Sequence, residues 1–291
     1  MIDADILQGS VSERSFKMYK RDWAAYVDFA GDDALNSATF ARYREHMASK
    51  TKYSPKTINR MLTAVRMVMR EAATRKLITK ELYGEFQFVR SVKERALKGR
   101  LKAHNRTKIE PEDMRRLCDA PNTNTLPGMR DRALLLTLAS SGARITEAVT
   151  LTADHVLHEN GNYYIMVNGK IDVDWRRAPL SEEAHQAIML WFERRGIDSE
   201  YVFTSFAGRG NSRTTEHHMS VVSGWRAVRR YAEKLGLEHI KPHDFRRFVA
   251  TQLCKRSPRQ AQLALGHTNI ASTYRYYVLD ELENGVTEGL F

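Results

Sequence analysis

Residues 130–151 read RDRALLLTLASSGARITEAVTL, and they decide the reading of everything around them. A long apolar helical pattern runs to the turn signal Ser141-Gly142, and a second helical pattern starts just beyond it. A further helical segment, IEPEDMRRLCDA at 109–120, precedes them. Immediately downstream the period changes. HVLHE (155–159), YYIMV (163–167) and WRRAPL (175–180) are short strand-like runs, with Asn160-Gly161 and Asn168-Gly169 between them as hairpin-type turns. Helical patterns resume at Ser181 and continue to the end, interrupted by the polar, glycine-rich stretch FAGRGNSRTT at 206–215, which reads as a loop. The expectation is a mainly helical domain over 109–291 that carries a small antiparallel β-sheet.

The first 90 residues read as a separate helical domain. Over 12–30, Phe16, Tyr19, Trp23, Tyr26, Val27 and Ala30 recur at helical spacing, with Ser12 as N-cap and Gly31 as stop. A second pattern runs through Phe40, Tyr43 and Met47. A third starts at Ser54-Pro55 and continues through Ile58, Leu62, Val65, Met69 and Ala72. A weaker one follows from Glu81 to Val89. Lys56, Arg60, Arg66 and Arg70 group on the polar side of the third helix, a basic face that suits a polyanion or, equally well, simple solvation. Residues 91–108 hold seven lysines and arginines against one glutamate and no strong apolar period. We read them as a basic linker, in which Lys93, Arg95, Lys98, Arg100 and Lys102 suit a path along a phosphate backbone.

Composition narrows the partner. Among 291 residues, 46 Lys and Arg against 35 Asp and Glu leave a formal charge of +11, which favours a polyanionic partner such as nucleic acid. Cys118 and Cys254 stand far apart, fit no paired metal spacing and suit a reducing cytosol. No apolar run reaches the roughly 20 residues of a membrane span, and MIDADILQGS lacks the layout of a signal peptide. The chain is therefore expected in the cytoplasm, away from membranes. Neither Asp172 and Asp174 on a turn nor His217-His218 forms a metal-ligand set, and Gly208 and Gly210 lack the lysine and helix start of a phosphate cradle. No metal and no ATP is implied.

Attack on a phosphodiester without metal needs fixed cations for the phosphate oxygens, a proton donor for the leaving group and a nucleophile. Three stretches hold such residues: SGARITEAVTL (141–151), PHDFRRFVAT (242–251) and LGHTNIASTYRYY (265–277). Together, in this order and behind a basic helical domain, they resemble the three signature boxes of the tyrosine recombinases, or phage-type integrases. The resemblance extends over nearly the whole chain. It implies a helical core-binding domain, the linker, and a mainly helical catalytic domain.

By that resemblance Arg144 is the first phosphate-gripping arginine and Glu147 the acidic residue supporting the site. His243 and Arg246 are the His-x-x-Arg pair, handling protons and forming the second clamp. His267 is a hydrogen-bond donor to the phosphate. The nucleophilic tyrosine of the family falls nine residues after that histidine, at Tyr276, with Tyr274 and Tyr277 beside it. Lys170 resembles the hairpin lysine that acts as general acid. GKIDVDWRR departs from the usual Gly-Lys-Gly-x-Lys turn, so Arg176 or Arg177 is a candidate to take over part of that contact. Arg247 stands where the family often has histidine, and is a further candidate for DNA.

The implied reaction is attack of Tyr276 on a DNA phosphodiester to give a 3′-phosphotyrosine and a 5′-hydroxyl, reversed by the 5′-hydroxyl of a second duplex through a four-way junction. The implied partners are duplex DNA with inverted-repeat core sites and three further copies of the chain on that DNA, with a monomer expected in free solution. Leu279, Leu282, Val286 and Leu290 form one apolar stripe of a tail helix, suited to docking in cis or in trans. With the first helix starting near residue 12, no arm-binding domain is expected. The biological role stays open among integration or excision, transposon resolution, and resolution of plasmid or chromosome dimers. Two alternatives remain at this point: relaxation of DNA by a type IB topoisomerase, and a catalytically silent DNA-binding regulator of the same fold.

Overall fold

The computed structural model describes residues 2–100, 109–168, 175–208 and 213–266. The chain divides into two compact units, Met1–Asn105 and Arg106–Phe291, each with its own apolar core.

The first unit is built from four helices, α1 (Glu13–Ala30), α2 (Ser37–Lys50), α3 (Pro55–Thr74) and α4 (Lys80–Phe88). Each begins where a short polar side chain can take an otherwise unsatisfied backbone N–H. Ser12 accepts from Ser15, Asn36 from Ala38, Ser54 from Thr57 and Thr79 from Leu82. α1 ends at Gly31 with a positive φ of 57°. The stripe Ile58, Leu62, Val65, Met69 and Ala72 of α3 is fully buried. It shares a core with the aromatic residues of the other helices, where Tyr26 meets Phe40 and Tyr43 edge-on and Phe40 stacks on Phe86. Edge-on and offset packing places ring edges against ring faces, the favoured arrangement of the aromatic quadrupole. Within the region read as a linker, Glu94–Arg100 forms a kinked 3₁₀ segment, and Leu97 packs onto this core.

The second unit is organised around α6 (Leu126–Ser141), preceded by α5 (Pro111–Asp119). Ala133, Leu134, Leu135, Thr137 and Leu138 are all fully buried, so α6 is apolar on nearly every side and lies inside the domain. It stops at Gly142, which takes a left-handed conformation no β-branched residue would tolerate. A short helix α7 (Ile145–Val149) follows. The strands β1 (Val156–Glu159), β2 (Asn162–Asn168) and β3 (Trp175–Leu180) form one antiparallel sheet in the order β1-β2-β3. Positive φ at both Asn160 and Gly161 gives the first hairpin the twist that two-residue turns require. Helix α8 (Glu182–Arg194) follows, and α9 (Val221–Lys234), α10 (Pro242–Arg256) and α11 (Pro258–Leu265) complete the described part.

One stretch differs from its sequence reading. The supposed loop at 206–215 contributes to a second, two-stranded sheet, β4 (Thr204–Ala207) with β5 (Arg213–His218). Its alternation is carried by threonine rather than aliphatic residues. Thr204 and Thr214 face inward, and the Thr214 hydroxyl donates to the Arg195 carbonyl. Ser205 and Thr215 pair across the strands at 2.5 Å. His217 and His218 are exposed, and His218 rests against Tyr201.

A buried charge group pins this second sheet to α6 and α9. Asp131 is fully buried and accepts from Arg130 at 2.8 Å, from Arg230 at 2.5 Å and from the Tyr231 hydroxyl at 3.1 Å. Arg130 also donates to the Thr204 carbonyl and lies over the Phe206 ring. Breaking such a pair strands a buried charge and costs about 3–5 kcal/mol. Asp131→Ala should therefore lower the stability of the second unit by that amount, read as a drop in the urea midpoint; a shift equivalent to under about 1 kcal/mol would show that Asp131 is not needed to hold the group together.

Candidate phosphate-binding site

Three polypeptide segments far apart in sequence converge beside the end of α6. Gly142 comes so close to α10 and α11 that an added Cβ would lie 2.8 Å from Leu265 Cδ2 and 3.2 Å from Val249. Val249, Ala250 and Leu265 form a small buried cluster there. This contact brings the residues that start α7 and α10 next to the end of α11.

Arg144 is the N-cap of α7. Its backbone N–H donates to one Glu147 carboxylate oxygen at 2.8 Å, and its guanidinium donates to the other at 2.5 Å. The Arg144 side chain stays 40% exposed while that of Glu147 is only 4% exposed. A second guanidinium, that of Arg176 on β3, donates at 2.8 Å to the Glu147 oxygen that also accepts the Arg144 N–H. Arg176 also donates to the carbonyl of Ala264 in the last turn of α11.

Arg246 lies one turn into α10 and is fully buried. It donates to the Gly142 carbonyl at 2.9 Å, a partner 104 positions away, and to the Leu265 carbonyl. The α6–α7 turn and the end of α11 are thus laced to α10 through one side chain. His243 sits in the first turn of α10, just after Pro242, with its residue open to solvent on one side. Burial of the imidazole against the protein on the other side, and the guanidinium groups of Arg247, Arg246 and Arg144, hold its pKa below the ordinary value. Arg247 is paired with Asp244 at 2.9 Å, and Asp244 also accepts from the Lys241 N–H.

The structure therefore brings together Arg144, Glu147, His243, Arg246 and Arg247. Lys170, His267 and Tyr276, the neighbouring Tyr274 and Tyr277, and the tail stripe from Leu279 lie outside the described residues, as do Lys102, Asp172 and Asp174. Arg176 is the member whose place the sequence left open. Alternation along β3 sends Arg176 inward, opposite Val167, and Arg177 outward, where it pairs with Glu159 and lies over Tyr164. Neighbouring strand positions point to opposite faces, so only one of the two arginines reaches Glu147.

In the first unit the basic side of α3 is not uniform. Lys56 and Arg70 are exposed, whereas Arg60 is tied to the buried Asp22, and Arg66 donates to the Val89 carbonyl and lies half-buried over Phe40. Burial holds the Arg66 pKa below the ordinary value. Lys93, Arg95 and Lys98 are exposed, and Arg100 is half-buried. Among the described residues no three His, Cys, Asp or Glu side chains converge as metal ligands, and no helix is long and apolar enough to cross a membrane. Cys118 is buried, and burial pushes its thiol pKa up to about 12.

The electrostatics suit an anion. Glu147 accepts from Arg144 and Arg176, Arg246 donates to two backbone carbonyls, and Arg247 is offset by Asp244. Local positive charge exceeds negative by two, close to the roughly double negative charge of a phosphorane in which two oxygens bear the load.

Residues 107–283 match the phage integrase family. The chain is 26% identical over 268 residues to tyrosine recombinase XerA of Thermococcus kodakarensis, covering 91% of this chain and 84% of that protein. It is 25% identical over 292 residues to tyrosine recombinase XerD of Pseudomonas putida, covering 94% and 90%. In fold it is similar to the Tn1549 transposon integrase in complex with circular intermediate DNA, with a TM-score of 0.68, 18% identity and 99% of each chain covered. The match spans the α6–α7 turn, both sheets and the whole convergence of α10 with α11, and by it the chain belongs to the phage integrase family of tyrosine recombinases.

Proposed function

We propose that this chain cuts and rejoins duplex DNA at specific sites, using Tyr276 as nucleophile and the cluster around Glu147 to hold the scissile phosphate. The observation that carries this reading is that Arg144, held by the buried Glu147, and Arg246, bonded to the Gly142 carbonyl, both lie near His243.

Arg144 and Arg246 grip the non-bridging phosphate oxygens. A guanidinium presents several N–H donors in a plane, which matches two phosphate oxygens better than an ammonium does. Glu147 keeps Arg144 at the right angle. Tyr276 attacks phosphorus, the bond to the 5′-oxygen breaks, and Lys170 gives that oxygen its proton. A free phenol, with a pKa of about 10, is a poor nucleophile at neutral pH, so the surrounding cations favour its ionised form. His243, held neutral, accepts the phenol proton, and His267 donates to a phosphate oxygen. The bond energy is kept in the phosphotyrosine, and a 5′-hydroxyl from a second duplex reverses the step. Four copies on inverted-repeat core sites, acting in the cytosol, complete the scheme. Lys56, Arg70, Lys93, Arg95 and Lys98, all exposed, are the side chains we assign to the DNA backbone outside the cleavage point.

Tyr276→Phe should abolish the covalent protein–DNA adduct on a nicked suicide substrate while DNA binding persists; an adduct that survives, or that moves to dependence on Tyr277, would remove Tyr276 from its role. Arg144→Ala should slow single-turnover adduct formation by about 10²–10³-fold, the usual effect of deleting one donor to a charged transition state. A rate within a few-fold of the parent would show that Arg144 does not hold the phosphate.

The depressed His243 pKa also predicts how the DNA-free protein responds to acid. Below the ordinary histidine value the unfolded chain takes up a proton that the folded chain resists, so stability falls as pH is lowered. The thermal midpoint should decline between about pH 7 and about pH 5, and His243→Gln should flatten part of that slope. Identical slopes for parent and variant would contradict the environment described for His243.

A further inference from the structure

Arg176 occupies a position that joins three parts of the site. It lies on β3, six residues after Lys170 in the hairpin sequence, and its side chain is only 14% exposed. One Nη donates to Glu147 at 2.8 Å, the carboxylate that also orients Arg144. The other Nη donates to the Ala264 carbonyl, three residues before His267. Its aliphatic stem crosses Gly266, where an added Cβ would come within 2.4 Å of Arg176 Cδ and where φ is +63°. Gly266 is therefore a glycine both for its backbone conformation and because Arg176 fills the space beside it.

We propose that Arg176 is a positioning residue that sets the lysine hairpin, the first phosphate-gripping arginine and the segment leading into His267 as one unit. The inference rests on the roles proposed above for Lys170, Arg144 and Tyr276. A planar guanidinium makes both contacts at once from a single rigid fork, which a lysine or a neutral side chain cannot do. With the fork gone, Glu147 can follow Arg144 outward, the end of α11 loses its tie to β3, and the hairpin loses its fixed base. None of these changes removes a group that touches DNA. Their effect falls on the rate of strand cleavage in bound DNA, because a displacement of about 1 Å in a reacting group costs about 10²-fold.

The test uses the full-length protein and the variants Arg176→Met, Arg176→Gln and Arg176→Lys. DNA affinity, thermal midpoint and single-turnover adduct formation at saturating DNA are measured on two substrates. One has the natural 5′-oxygen leaving group; the other has sulfur in that bridging position, which leaves without a proton donor. The expected result is DNA affinity within about two-fold of the parent and adduct formation on the oxygen substrate slower by about 10²-fold for Met and Gln. Arg176→Lys, which keeps one contact, should fall between. On the sulfur substrate part of the Met and Gln defect should disappear, because the hairpin lysine is no longer needed there.

Equal rates for the parent and all three variants on the oxygen substrate would overturn the proposal. So would a defect of the same size on both substrates, or variants none of which folds, since both outcomes make Arg176 a structural residue only. A parent protein that forms no adduct on either substrate would instead overturn the proposed nucleophile and reaction, which separates failure of that reading from failure of this one.

Discussion

A single buried carboxylate organises the site. Glu147 accepts the Arg144 backbone N–H, the Arg144 guanidinium and the Arg176 guanidinium, with its side chain almost wholly removed from water. An unpaired carboxylate buried in that position would be costly, and two guanidinium groups packed there without it would repel one another. Each cost is met by the other. The arrangement fixes two guanidinium planes before any DNA arrives, so little reorganisation is left for the moment of reaction.

The rest of the second unit can be understood as the scaffold for that carboxylate. α6 has to be buried because its C-terminal turn presents Gly142, whose missing side chain lets Val249 and Leu265 close in. That approach lets Arg246 reach two backbone carbonyls from elements that would otherwise not meet. The three-stranded sheet supplies the third arginine through a strand whose alternation leaves its neighbour, Arg177, to the surface. At the other end of α6 the buried Asp131 plays a similar part, collecting Arg130, Arg230 and Tyr231.

Much of this was legible in the sequence, and the reasons are local. Helix α1 was readable from Ser12 to Gly31 because its cap, apolar stripe and stop lie within one short window. The same holds for α3 and for the Asn160-Gly161 hairpin, where the turn chemistry dictates the backbone. That Arg144, Glu147, His243 and Arg246 come together in space was expected from the three boxes taken jointly. The β4–β5 hairpin was missed because threonines carry its inward face, so no aliphatic alternation announces it. Partners separated by long stretches of chain were equally hidden. Nothing in the spacing of Arg60 or Arg66 shows that Asp22 and the Val89 carbonyl hold them. For Arg176 the signal was its parity on β3 relative to Arg177, which selects one inward guanidinium but cannot say what waits for it.

The acceptors of Arg246 and Arg176 are carbonyls at the ends of two helices, Gly142 just past α6 and Ala264 and Leu265 in the last turn of α11. Helix C-termini carry about half a negative charge each, from carbonyls with no partner in the next turn. Before its arginines are counted, the pocket is thus an electronegative one, and it would turn a phosphate away. The guanidinium groups reverse the sign of the field. Losing either uncovers a helix terminus that opposes the phosphate, and in the proposed scheme losing Arg246 also removes a ligand to it.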